Sequence, residues 1–157
     1  MNFDWLFDLF KKKRIDFFVK KDYKEIEKLL KENFKKEKIE GVINLTKPTQ
    51  IYKLDNETHV CTKKSMECYL KSNLISLGIY KTDKYDCDDF AIHLWSKVKK
   101  DYPSLAFGFV LSSKHAFNIF VDNESNIWMI EPQSDKFMTI EQSQKKDLYK
   151  NITLIIL

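Results

Sequence analysis

Glycine and proline are scarce in this 157-residue chain, at three each, which excludes a linker, a disordered tail or a low-complexity segment. Cysteine is equally rare. Cys61, Cys68 and Cys87 are too few to pair completely, and no CxxC spacing joins them, so neither a disulfide framework nor a thiolate zinc site is expected. Free thiols in a reducing, cytoplasmic setting are the simplest reading. No apolar run approaches the ~20 residues that a membrane span needs. The one apolar stretch near the start, residues 3–10, is interrupted by Asp4 and Asp8 and followed by basic residues, unlike a signal peptide. There is no Gly-rich phosphate loop. The net charge of +4, from 27 basic and 23 acidic residues, is too small and too dispersed for nucleic acid to be an expected partner.

Apolar surface is abundant: 43% of the residues are hydrophobic and 14% aromatic, enough for one compact domain with a sizeable core. Trp5, Leu6, Leu9 and Phe10 recur at helical spacing and precede the basic cluster 11–14. That first helix either packs on the core or meets a membrane surface or a protein partner. Tyr23, Ile26, Leu29, Leu30 and Phe34 repeat at offsets of three and four, which predicts an amphipathic helix with Asp22 as N-cap. Residues 1–40 therefore read as a helical extension, and 41–157 as the main α+β domain.

Short strands are expected at 42–45 and 51–54, and a helix from Thr62 to about Leu77, stopped by Gly78. The spacing predicts a further helix over 86–100, with Cys87 in its first turn. Three strands follow at 106–111, 116–121 and 127–130, the last two joined as a hairpin by the turn 122–126, and a final strand over 152–157.

The chemistry-bearing residues lie at element ends. Cys87 at a helix N-terminus faces unpaired amides and the positive end of the helix dipole, which favour thiolate. Asp86, Asp88 and Asp89 oppose that as bare charges. Either they point away and cap the helix, or they bind a hard cation through oxygen ligands. His115, at the entrance of a strand, suits a proton-transfer role because its ordinary pKa is near neutral. Glu131 ends the neighbouring strand, where a carboxylate can orient the imidazole. Gln133 is either a turn residue or an amide lining the cleft.

The segments Asp86-Cys87-Asp88-Asp89-Phe90-Ala91, His115-Ala116-Phe117-Asn118 and Trp128-x-Ile130-Glu131-Pro132-Gln133 resemble the papain-like cysteine protease domain at the C-terminus of the Marasmius oreades agglutinin and related bacterial and phage proteins. More loosely they resemble the transglutaminase-like cysteine proteinases. The resemblance covers about residues 80–133. It implies a papain-like, transglutaminase-like α+β fold in which N-terminal helices, one bearing the cysteine, pack on an antiparallel sheet. It also implies a calcium-dependent thiol protease, a hydrolase or acyltransferase acting on peptide or amide bonds of a peptide or protein substrate. Cys87 would be its nucleophile, His115 its base, Glu131 the orienting acid and Gln133 an active-site amide, with Asp86, Asp88 and Asp89 as calcium ligands. The competing expectation is a non-catalytic, phage-type binding protein that keeps this fold and engages a host protein or nucleoprotein through its aromatic and basic N-terminal helix.

Overall fold

The structure is a computed structural model that describes residues 18–34, 49–52 and 58–157. The helix and basic cluster expected before residue 18 and the strand expected at 42–45 lie outside the described residues.

Strand β1 (Val19–Lys21) leads into helix α1 (Tyr23–Asn33), whose N-cap Asp22 accepts the Lys24 amide at 2.9 Å. β2 (Gln50–Tyr52) and β3 (Thr58–Val60) precede α2 (Lys63–Asn73), which is capped by Thr62. That helix stops earlier than the sequence suggested. Leu74 takes a left-handed conformation, φ 62°, and the chain continues as a 3-10 turn over Ile75–Leu77. Gly78 has an ordinary φ of −58°; glycine is needed there for space, because a Cβ would lie 3.0 Å from the Phe90 and Tyr85 rings.

Helix α3 (Cys87–Asp101) then packs on β4 (Phe107–Ser112) and β5 (Ala116–Val121). The turn after β5 is organised by buried Asp122, which accepts the amides of Glu124 and Asn126 and the indole N–H of Trp128. It returns the chain into β6 (Ile127–Glu131). Beyond lie β7 (Lys136–Thr139), α4 (Ile140–Gln144), a 3-10 turn over Asp147–Tyr149, and β8 (Ile152–Ile156).

Six strands form one sheet in the order β2-β8-β4-β5-β6-β7, and β1 pairs with β3 in a separate ribbon. Every neighbouring pair in the large sheet is antiparallel except β2 and β8, which run parallel. The antiparallel sheet expected from sequence is therefore corrected to a mixed one. The physical reason is that β2 arrives from far upstream and joins the outer side of the last strand, a placement no local hairpin could produce.

β5 is buried on both faces, so its residues divide between two cores. Phe117, Ile119 and Val121 join Val110, Met129 and Ile155 with Ile26 and Leu30 of α1. Phe120 joins Phe107, Ile130, Leu94 and Val98, the last two from α3. A smaller cluster of Ala91, Phe109 and Ala116 lies under the start of α3. Asn118 is fully buried between helix and sheet, donating to the carbonyls of Ala91 (2.9 Å) and Gly108 (3.2 Å).

Candidate functional site

His115 and Glu131 are brought together by the register of β5 and β6, in which Asn118 faces Ile130. The imidazole Nε2 lies 2.8 Å from Glu131 Oε2. The same oxygen accepts the Tyr149 hydroxyl at 2.6 Å, and Oε1 accepts the Gln133 amide at 3.3 Å. Burial pushes the Glu131 carboxyl up. The bonds from His115 and Tyr149, the charge of His115 and the Gln133 amide outweigh it and hold the group below its ordinary value. Gln133 thus contributes through its backbone N–H. Tyr149 was missed in the sequence. It stands 18 residues from Glu131, and no local spacing marks it.

Cys87 is placed differently. Its side chain packs against Ala91, Phe109 and Ala116, under α3. The His115 ring stacks on Phe117 at 6.1 Å and meets Tyr149 edge-on at 5.4 Å, with Phe117 and Tyr149 belonging to the α1-side core. Ala116, in the cluster that Cys87 packs against, and Phe117, which the imidazole stacks on, alternate along β5. Among the described residues no hydrogen bond joins the Cys87 sulfur to His115.

The sulfur instead keeps company with carboxylates: ligand atoms of Asp86, Cys87 and Asp88 all lie within 4.8 Å of one another. The hydrogen bond between the two acids divides them, lowering Asp86 and raising Asp88, as expected for two carboxylates sharing one proton. Asp86 Oδ1 is buried without a partner. Asp89 is turned away from this group and its Oδ2 accepts the Asp86 amide at 3.1 Å, half of a capping box. The donor set that could hold a cation is therefore Asp86 and Asp88. Its oxygens suit a hard ion such as calcium, for which the adjacent sulfur is a poor ligand.

The loop leading into α3 is tightly folded. Lys81 and Tyr85 exchange two backbone bonds of 2.8 Å, and Asp83 adopts φ 57°. The Tyr85 ring packs at a tilt against Phe90, centroids 4.5 Å apart, and reaches His93 Nδ1 through its hydroxyl at 3.0 Å. Tyr80 is 50% exposed beside the acids. Desolvation, then the charges of Asp86, Asp83 and Asp88, raise its hydroxyl above the ordinary value. Leu77 and Ile79 stand out next to it, 73% and 76% exposed.

Comparison with known proteins gives a family and a fold. The family model for the ricin-type beta-trefoil lectin C-terminal domain matches residues 24–151. Among solved structures, a complex of PSL1a with E64 is 17% identical, with a TM-score of 0.65, over 88% of this chain and 50% of that one. The Polyporus squamosus lectin bound to the human-type influenza-binding epitope Neu5Aca2-6Galb1-4GlcNAc is 18% identical, with a TM-score of 0.63, over 88% of this chain and 50% of that one. This chain thus spans half the length of the lectin chains it matches. No curated protein matches.

These matches overturn two expectations. The papain-like, transglutaminase-like fold assignment gives way to the mixed sheet with helices shared with the Polyporus lectin. The cysteine protease, hydrolase or acyltransferase expected to act through Cys87, His115 and Glu131 gives way to a lectin-family protein. The resemblance to the fungal agglutinin holds in part: the link to a fungal lectin is supported, and the protease activity it implied is not. By the match over residues 24–151, the chain belongs to the ricin-type beta-trefoil lectin C-terminal domain family.

Proposed function

We propose that this chain is a binding module of a glycan-recognising protein, and that its ligand patch is the loop and first turn at the start of α3. The observation that carries the reading is the exposed Tyr80 ring beside the paired carboxylates of Asp86 and Asp88. Sugars present an apolar C–H face and vicinal hydroxyls. An exposed aromatic ring takes the first, and carboxylate oxygens accept from the second. Leu77 and Ile79 would widen the apolar part enough for an N-acetyl methyl group. Calcium held by Asp86 and Asp88 would neutralise their mutual repulsion and offer further coordination to sugar oxygens.

The Polyporus lectin's epitope, Neu5Aca2-6Galb1-4GlcNAc, is the natural first probe. Calorimetric titration with and without calcium is expected to show saturable binding that Tyr80→Ala and Asp86→Asn each weaken by about tenfold, the factor that 1.4 kcal/mol of lost contact carries. Binding indifferent to both substitutions would overturn the assignment of the patch.

The PSL1a–E64 complex favours a second reading of the same patch as a small-molecule site at Cys87. The sulfur lies among the patch carboxylates, so such a ligand would compete with a glycan or cation there. E64 is expected to raise the melting temperature of the native chain but not of Cys87→Ala. Equal effects on both would remove Cys87 from the site.

A further inference from the structure

The segment 147–151 makes a run of contacts that neither the glycan patch nor the core requires. Ser112 Oγ lies 2.6 Å from the Leu148 carbonyl, and Ser113 N–H donates to the Asn151 carbonyl at 3.2 Å. Lys114 pairs with Asp147. The Tyr149 hydroxyl donates to Glu131 Oε2 at 2.6 Å. Ser112, Ser113 and Lys114 form the turn that delivers His115, and Ser112 Oγ also accepts the His115 amide at 2.9 Å. Glu131 ends the adjacent strand. One short strap is therefore tied to both halves of the His115–Glu131 pair.

We propose that Tyr149 is a positioning residue: its hydroxyl, held by the 147–151 strap, fixes Glu131 so that His115 is locked as the Nε2–H donor, leaving Nδ1 as the free acceptor.

Geometry carries the assignment. Glu131 Oε2 is reached by two groups at once while Oε1 takes the longer bond from the Gln133 amide, so the Tyr149 hydroxyl is the second donor that sets the oxygen facing His115. Among the described residues, His115 Nδ1 makes no hydrogen bond, so no other described residue selects the tautomer. Burial and the Glu131 charge push the Tyr149 hydroxyl up, which keeps its proton in place as a donor across the working pH range. The plain alternative is that Tyr149 is only a core ring, set edge-on against Phe117 at 5.1 Å and His115 at 5.4 Å. The two readings separate on the hydroxyl alone.

The test is long-range proton–nitrogen NMR of His115 in the intact chain, compared with Tyr149→Phe and with Asp147→Asn, which breaks only the exposed pair. The native protein is expected to show a single Nε2–H tautomer with a slowly exchanging proton. Tyr149→Phe should keep the native spectrum elsewhere, gain a population of the Nδ1–H tautomer, and exchange the ring proton about fivefold faster, the factor an ordinary net hydrogen bond carries. Asp147→Asn should leave the tautomer unchanged. An Nδ1–H tautomer in the native protein, or a Tyr149→Phe spectrum identical to it, overturns the proposal. Should Tyr149→Phe fail to fold, the native protein still decides: a protected Tyr149 hydroxyl proton supports the strap, and a freely exchanging one rejects it. Because these signals need no ligand, failure of the glycan or E64 titrations would leave this result untouched.

Discussion

Replacing Asn118 by alanine should loosen the start of α3, and its cost can be worked from two hydrogen bonds. The side chain is fully buried and its amide ties the Ala91 carbonyl of α3 to the Gly108 carbonyl of β4. Ala91 lies one helical turn beyond Cys87, so this amide anchors the end of the helix that carries Asp86 and Asp88. Each bond contributes about 0.5–1.5 kcal/mol net. Truncation also leaves a small void beneath the helix, worth about 1 kcal/mol more. The native Oδ1 has no partner, so its removal returns part of that cost. A destabilisation of roughly 2–3 kcal/mol follows, which for a chain of this size lowers the melting temperature by roughly 5–10 °C. Urea unfolding followed by the fluorescence of Trp95 and Trp128 measures it directly. Asn118→Leu, which refills the space without the amide, should recover the void portion only. If Asn118→Ala costs less than about 0.5 kcal/mol, an amount typical of an unremarkable surface change, the amide does not anchor the helix.

Three further outcomes follow from the packing and the charges. Gly108→Ala places a Cβ 2.6 Å from the Ile156 carbonyl oxygen and 2.8 Å from Ile119, both across β4. The strand must shift, so expression as aggregate or a loss of more than about 2 kcal/mol in urea unfolding is expected; a native-like midpoint would contradict the close approach. The Glu131 carboxyl titrates below its ordinary value in the folded state, so its contribution is complete above the unfolded pKa of about 4.3 and is lost as pH falls through the folded value. The urea midpoint should therefore fall more steeply on the acid side for the native chain than for Glu131→Gln, and parallel curves would refute the assignment. Burial and the nearby Asp122 charge push the Cys61 thiol up to about 12, and the residue is 1% exposed. Iodoacetamide at neutral pH should spare it while reacting with the partly exposed Cys87. Labelling of Cys61 first would mean that the core around Val60 opens readily.

Local patterns were well marked in the sequence. The Asp22 cap and the apolar spacing of α1, the Asp122–Asn126 turn, and the start of α3 all follow from signals within a few residues of one another. What failed to show depends on distance or on parity. β7 is four residues, Lys-Phe-Met-Thr, too short for alternation to register, and the parallel edge pair of β2 with β8 joins segments about a hundred residues apart. The surroundings of the thiol and the imidazole are subtler. β5 reads Ala-Phe-Asn-Ile-Phe-Val and is buried throughout, so no polar face reveals which side His115 takes. That the ring meets Phe117 and the sulfur packs by Ala116 emerges only from the folded cores. Tyr149 lay beyond reach for the same reason as β2: its partner is fixed by tertiary closure.

The patch at the start of α3 is tested most directly by titrating Neu5Aca2-6Galb1-4GlcNAc into the chain in calcium, then in chelator, with Asp86→Asn beside it. Saturable binding that falls by about tenfold on chelation and again does so in the variant is the expected result. Heat signals that are absent, or equal in all three samples, would show that Tyr80 and the Asp86–Asp88 pair do not make a sugar site.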